Sequence, residues 1–198
     1  VIGGRLNSLG SNAKLGDMVS LGNGRFIVIE QGAAPSGKVR NLLMLVELGN
    51  ATNIAGSVYN PATSDLEKSS MSGVAVNGAD YTSVVAMKKT LLLDLNEAGW
   101  LAEKAEGLTL VDDSTLALIN DNDFGLKSLV TDPAGVAIAG ADITACTMDA
   151  AGVIVTDSKA VGCTAGNLLR VARGSDLERP TRLWLIKFDK KLAAYQIP

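Results

Sequence analysis

Alternation of apolar and polar residues with a period of two dominates this chain, and it is clearest between Glu106 and Gly125, EGLTLVDDSTLALINDNDFG. Two short apolar runs, Leu108 to Val111 and Thr115 to Ile119, flank the polar turn Asp112-Asp113-Ser114. That layout predicts a β-hairpin with a loop of a few residues. An earlier stretch repeats it, with Asp17 to Leu21, the turn Gly22-Asn23-Gly24, and Arg25 to Ile29; Asn-Gly between two β-rich runs is a strong hairpin signal. The two stretches overlay without a gap at an offset of 90 residues, with Asp17 on Gly107, Phe26 on Leu116, Ile29 on Ile119 and Glu30 on Asn120. Propeller blades recur at ~40 to 50 residues, so the offset corresponds to about two blades.

Three further runs, Asn41 to Leu48, Thr90 to Leu95 and Thr181 to Asp189, share the form of a bulky apolar strand with an acid at or near its close. A weaker hairpin is expected at Ala145 to Asp157, turning at Asp149-Ala150-Ala151-Gly152. Helix is nearly absent. The best candidate, Asn96 to Ala105, is interrupted by Gly99 and reads as a turn or loop over the sheet. Val1 to Leu15 reads as irregular or as a strand whose partner lies elsewhere, while Ser57 to Gly78, Thr131 to Asp142 and Gly174 to Pro180 read as linkers, none of them a domain boundary. The expectation is an all-β protein of propeller-like antiparallel blades, one domain over 1–198, and an incomplete propeller. At least one open strand edge is expected to pair with another chain or with missing blades of a parent protein.

Composition narrows the function. A formal charge of −3, a pI near 5.0 and no cluster of Lys and Arg argue against a nucleic-acid partner. No apolar run approaches the ~18 residues of a membrane span; the longest is Leu42 to Val46. Histidine is absent, which removes Ser-His-Asp and Cys-His catalysis and His-ligated zinc, provided the chain is complete. Its two cysteines, Cys146 and Cys163, are too few for a Cys₄ zinc site and too far apart for a CxxC motif. Gly32 to Lys38, GAAPSGK, has P-loop spacing, but Val39 stands where Ser or Thr should hold Mg²⁺. It reads as a hairpin loop.

Candidate chemistry lies at the open end of the later hairpin. Glu106 opens it, and Asn120, Asp121, Asn122 and Asp123 close it. Antiparallel pairing brings these to one edge, and the period of two puts Asp121 and Asp123 on one face. Crowded carboxylates and amide oxygens suit a hard cation, Ca²⁺ above all. The alternative is an Asx-rich turn that satisfies its own backbone. Asp17 and Glu30, at the matching edge of the first hairpin, would join the site if the blades fan round one axis. Lys104 and Arg25 are the candidates for holding a phosphate. Asp121-Asn122-Asp123-Phe124-Gly125 also resembles the start of an EF-hand loop, but Gly125 stands where the third side-chain ligand belongs.

Lys104 to Gly125 (KAEGLTLVDDSTLALINDNDFG), with Gly16 to Gly32 (GDMVSLGNGRFIVIEQG) and Thr181 to Asp189 (TRLWLIKFD), resembles the bacterial domain family named for the esterase-like activity of phytase. The resemblance implies a β-propeller-like fold, a secreted or periplasmic location, and a phosphoesterase or esterase role. In propeller phytases bound calcium ions hold substrate phosphates and activate water, chemistry that needs no histidine. The function expected is an extracytoplasmic metal-dependent hydrolase of phosphate or other esters, with Glu106, Asp121 and Asp123 as metal ligands. The alternative is a non-catalytic binding or scaffold propeller with a structural calcium ion. In a secreted protein Cys146 and Cys163, each near the end of a short apolar run, are expected to form a disulfide, with two buried thiols as the alternative.

Overall fold

A computed structural model describes residues 14–33, 38–57 and 84–197. The readings made for 1–13, for the loop 34–37 and for 58–78 lie outside these residues. Among the described residues the chain is all-β and antiparallel, with nothing helical longer than a 3-10 turn. The first sheet is an up-and-down meander in the order β1 (Lys14–Gly22), β2 (Arg25–Ala33), β3 (Val39–Glu47), β4 (Lys88–Asp94), the layout of a propeller blade. The second joins β5 (Gly107–Asp112) and β6 (Thr115–Ile119) to β9 (Leu183–Lys187). A two-stranded ribbon pairs β7 (Leu126–Thr131) with β8 (Leu168–Arg173).

The turns follow from their residues. Gly22 pairs with Arg25, leaving Asn23 and Gly24 as the central residues, at φ 52° and 71°. Positive φ at both is what a two-residue type I′ hairpin requires, and Asn-Gly supplies it at least cost. At the β5–β6 turn Asp112 does the work with its side chain. Its Oδ1 accepts the Ser114 N–H at 2.7 Å and its Oδ2 the Thr115 hydroxyl at 2.9 Å. The segment after β4 is a turn, as its glycine implied. Asp94 Oδ1 accepts the N–H groups of Asn96 and Glu97, one turn forms, and Gly99 at φ 101° ends it, so that Trp100 enters the core.

Both faces of β2 and β3 are buried over much of their length, which explains the unbroken apolar run Leu42 to Val46 in β3. Ile27, Ile29, Leu43 and Leu45 face Leu108, Leu116 and Leu118 of the second sheet, with Leu95, Trp100 and Leu192 completing the cluster. Trp100 meets Trp184 edge to face at 5.2 Å. Val28, Leu42, Met44 and Val46 form a second cluster on the other face.

The chain divides into two compact units, Val1–Asp121 with Thr181–Pro198, and Asn122–Pro180. The second unit is carried between β6 and β9. Its buried apolar residues are Val130, Ile154 and Cys163. The hairpin expected at Ala145 to Asp157 is reduced to one bridge, Met148 to Ile154, over the Asp149–Gly152 turn. Cys146 and Cys163 form a disulfide with Cα atoms 5.0 Å apart.

Two outcomes follow. With so small a core, the second unit depends on its crosslink: closing a loop of 17 residues contributes about 3 kcal/mol in the chain-entropy account. Replacing both cysteines by alanine should speed amide exchange at Val130 and Leu169 while leaving Ile27 and Leu45 slow; unchanged exchange at Val130 would sink this. The second outcome concerns acid. The Ser114 N–H, then the Thr115 hydroxyl, hold the Asp112 carboxyl below the ordinary aspartate range. A depressed folded-state pKa contributes stability above the unfolded value and loses it as pH falls through the folded one. Asp112→Ala should therefore flatten the acid limb of the stability curve below about pH 4, as read by urea melts across pH, and an unchanged slope would count against the turn's role.

Candidate functional site

The first unit gathers Lys14, Gln31, Lys104, Glu106 and Asp121 at the end of the hairpins away from their turns. The Glu106 N–H donates to the Ile119 carbonyl at 3.1 Å, which places Glu106 beside the close of β6, as strand pairing implies. Its side chain, however, crosses to the first sheet. Glu106 Oε1 accepts from Lys14 Nζ and from Gln31 Nε2, each at 3.0 Å. Gln31 is 1% exposed, and its Oε1 accepts the Ala105 N–H at 3.0 Å. Asp17 adds a second latch, with Oδ2 accepting the Leu108 N–H at 2.9 Å and Oδ1 the Met18 N–H at 2.8 Å. The sheets approach so closely here that a Cβ on Gly16 would lie 2.7 Å from the Ala105 carbonyl oxygen, which explains the glycine. Lys104 Nζ donates to Asp121 Oδ2 at 3.2 Å.

Of the sequence-derived candidates, the structure brings Glu106, Lys104 and Asp121 to this edge and Asp17 to its margin. Glu30 faces the other way, nearly fully buried, with both carboxylate oxygens accepting from Lys89 Nζ at 2.8 and 3.1 Å. Arg25 stands at the turn end of its hairpin, about 20 Å along the strand from Gln31. Its guanidinium donates to the carbonyls of Ala193 and Tyr195, which fixes the 3-10 turn Leu192–Ala194 and the buried Leu192. Arg25 therefore does not share an edge with Lys104. Asp123 belongs to the second unit, where it opens the 3-10 turn Asp123–Gly125 at φ 48°.

These donors bear on calcium. Both oxygens of Asp17 accept backbone N–H groups, and both of Glu30 accept the Lys89 ammonium. Glu106 meets Lys14 through Oε1, and Asp121 meets Lys104 through Oδ2. Among the described residues no three of His, Cys, Asp or Glu stand together in a metal-holding group. Strand order located this edge but missed Gln31 and Lys14. A signal for them existed: in the 90-residue overlay Lys14 falls on Lys104 and Gln31 on Asp121.

The Glu30–Lys89 pair supports the sheet instead. Glu30→Ala would leave the Lys89 charge buried and unpaired, at a cost of about 3 to 5 kcal/mol, while Glu30→Leu with Lys89→Met should recover most of it. Urea denaturation of the three proteins decides, and a single variant within about 1 kcal/mol of wild type would show that water reaches the pair.

No curated protein and no solved structure matches the chain, and no helix of the described residues is long and apolar enough to cross a membrane. A family model described as phytase-like, esterase-like activity of phytase, matches residues 5–124, which take in the first sheet, β5 and β6, and the edge just described. The chain belongs to that phytase-like family.

Proposed function

We propose that this chain is an ester-hydrolase module that works outside the cytoplasm, and that an anionic ester, phosphate included, meets it at the edge where Lys14, Lys104, Glu106 and Asp121 gather. The observation that carries the reading is the pairing of two ammonium groups with two carboxylates on side chains that water still reaches. Exposure is 55% and 31% for Lys14 and Glu106, and 26% and 41% for Lys104 and Asp121. Exposed ion pairs of this kind contribute roughly 1 kcal/mol or less, so an incoming phosphate can take the lysines from their carboxylates at small cost. The disulfide agrees with an oxidising compartment.

In this reading calcium would be held by Glu106 and Asp121, where it would polarise an ester oxygen as a Lewis acid. The protein's own groups do the rest. Lys14 and Lys104 neutralise and orient the anion, and Gln31, locked between the Ala105 N–H and Glu106, holds the Glu106 carboxylate in place.

Titration calorimetry with inorganic phosphate, with and without calcium, and hydrolysis of a chromogenic phosphomonoester test the proposal together. Lys14→Met with Lys104→Met should lower phosphate affinity at least about tenfold, the weight of a lost charge-assisted contact. Glu106→Gln should lower calcium affinity and leave the fold unchanged. Equal phosphate affinity in wild type and the double variant would remove the edge from the site. Phosphate binding without turnover would favour the non-catalytic alternative.

A further inference from the structure

The face of the first sheet that packs on the second is apolar at Ile27, Ile29, Leu43 and Leu45, and it ends in two amides, Gln31 and Asn41. These are register partners across β2 and β3, so their side chains stand together on that face. Both are buried, at 1% and 0% exposure. Burying an amide is unfavourable unless its groups find partners, and Asn41 is only partly served. Its Oδ1 meets no donor among the described residues. Leucine, which the same face carries at Leu43 and Leu45, would avoid that penalty.

The bonds these amides do make converge on one residue. Asn41 Nδ2 donates to the Glu103 carbonyl at 3.2 Å, and Gln31 Oε1 accepts the Ala105 N–H at 3.0 Å. The first group belongs to the peptide that enters Lys104, the second to the peptide that leaves it. Each peptide is planar, so gripping both leaves the Lys104 Cα little freedom to turn about φ and ψ. The backbone of Asn41 holds the start of the same segment, its N–H donating to Asn96 Oδ1 at 2.6 Å and its carbonyl accepting the Leu95 N–H at 2.9 Å. Those two bonds need no side chain at position 41.

We propose that Gln31 and Asn41 are a positioning pair that aims Lys104 at the incoming anion. The inference rests on the reading of this edge as an anion site, and it separates the two lysines there. Lys104, 26% exposed and held through both of its peptides, orients the phosphate; Lys14, 55% exposed, adds charge. A cation aimed before the ligand arrives loses less freedom on binding it. Two buried amides, one of them imperfectly paired, are kept on an apolar face for that purpose.

Asn41→Leu is the discriminating variant, because it removes the grip on the Glu103 carbonyl and the unpaired Oδ1 together and leaves both backbone bonds. Its urea midpoint should be no lower than that of wild type. The Lys104 side chain, followed by NMR relaxation of its Nζ and methylene groups, should become more mobile while Lys14 does not. Phosphate affinity by calorimetry should fall about three- to tenfold. Added to Lys104→Met, Asn41→Leu should cause no further loss, whereas with Lys14→Met the two losses should multiply. Should the leucine variant not fold, Asn41→Ala makes the same cut with less bulk and is read by mobility and affinity. Unchanged mobility of Lys104 would overturn the proposal, as would a lowered midpoint with phosphate affinity unchanged, the mark of a purely structural amide. Losses that multiply with Lys104→Met as they do with Lys14→Met would overturn it too. A wild type that binds no phosphate while Asn41→Leu loosens Lys104 would remove the anion from this edge and leave the positioning of Lys104 standing.

Discussion

The contact between the two hairpins of the first unit is what the remainder of that unit depends on. Ile27, Ile29, Leu43 and Leu45 lie on one face of the first sheet, and each is wholly buried only because Leu108, Leu116 and Leu118 lie over it. At about 1.5 to 3 kcal/mol per large aliphatic side chain removed from water, this face outweighs the polar contacts beside it, whose net worth is about 0.5 to 1.5 kcal/mol each. The polar contacts do something the apolar ones cannot. Apolar faces slide over one another with little change in energy, whereas Asp17 on the Leu108 N–H and Gln31 on the Ala105 N–H admit one alignment of the sheets.

The candidate site sits where the internal repeat diverges. Ile29 and Ile119, and Phe26 and Leu116, occupy matching places and are apolar in both hairpins, although Ile29 is buried where Ile119 is exposed and Phe26 and Leu116 pack in different clusters. At the open end the matching residues differ in kind: Asp17 against Gly107, Gly16 against Glu106, Gln31 against Asp121. Gly107 has no side chain with which to latch a further backbone, so the second hairpin does not repeat the polar contact that the first makes through Asp17. Glu106 can reach Lys14 and Gln31 because Gly16 yields the space for the strands to approach.

Much of this architecture was legible in the sequence. The Asn23-Gly24 turn, the β5–β6 hairpin and the apolar runs of β3, β4 and β9 are local patterns whose geometry the residues themselves impose, and the structure has them within a residue or three. β7 and β8 were not legible, because LKSLVT and LLRVAR are short, interrupted by charge, and find each other only across the segment closed by the disulfide. Side-chain destinations were harder still. Strand order placed Glu106 near Asp121, but no local rule could say that Lys14 would come from 92 residues away to hold it, or that Arg25 would turn to the carbonyls of Ala193 and Tyr195. A charge goes to whichever partner the apolar packing brings within reach, and that is a property of the assembled sheets.

The insertion of a second unit between β6 and β9 raises the question of how the second sheet survives so long an interruption. Loop-closure entropy grows only with the logarithm of length, so a longer excursion between paired strands costs little more than a short one. What matters is how the two strands are tied where the chain leaves and returns. There the Asn120 N–H donates to the Arg182 carbonyl at 3.3 Å, and the Arg182 N–H donates to Asn120 Oδ1 at 2.7 Å. The asparagine amide thus supplies the acceptor that its own backbone does not, and the ladder from Thr115 to Ile119 is complete before the chain departs. The second unit needs its own means of holding together, since a core of Val130, Ile154 and Cys163 is too small to offset the entropy of ordering Asn122–Pro180. The crosslink between Cys146 and Cys163 supplies it by shrinking the unfolded ensemble. Each unit is therefore stable for a different physical reason, the first by apolar area and the second by covalent constraint, and oxidation is a condition of the second alone.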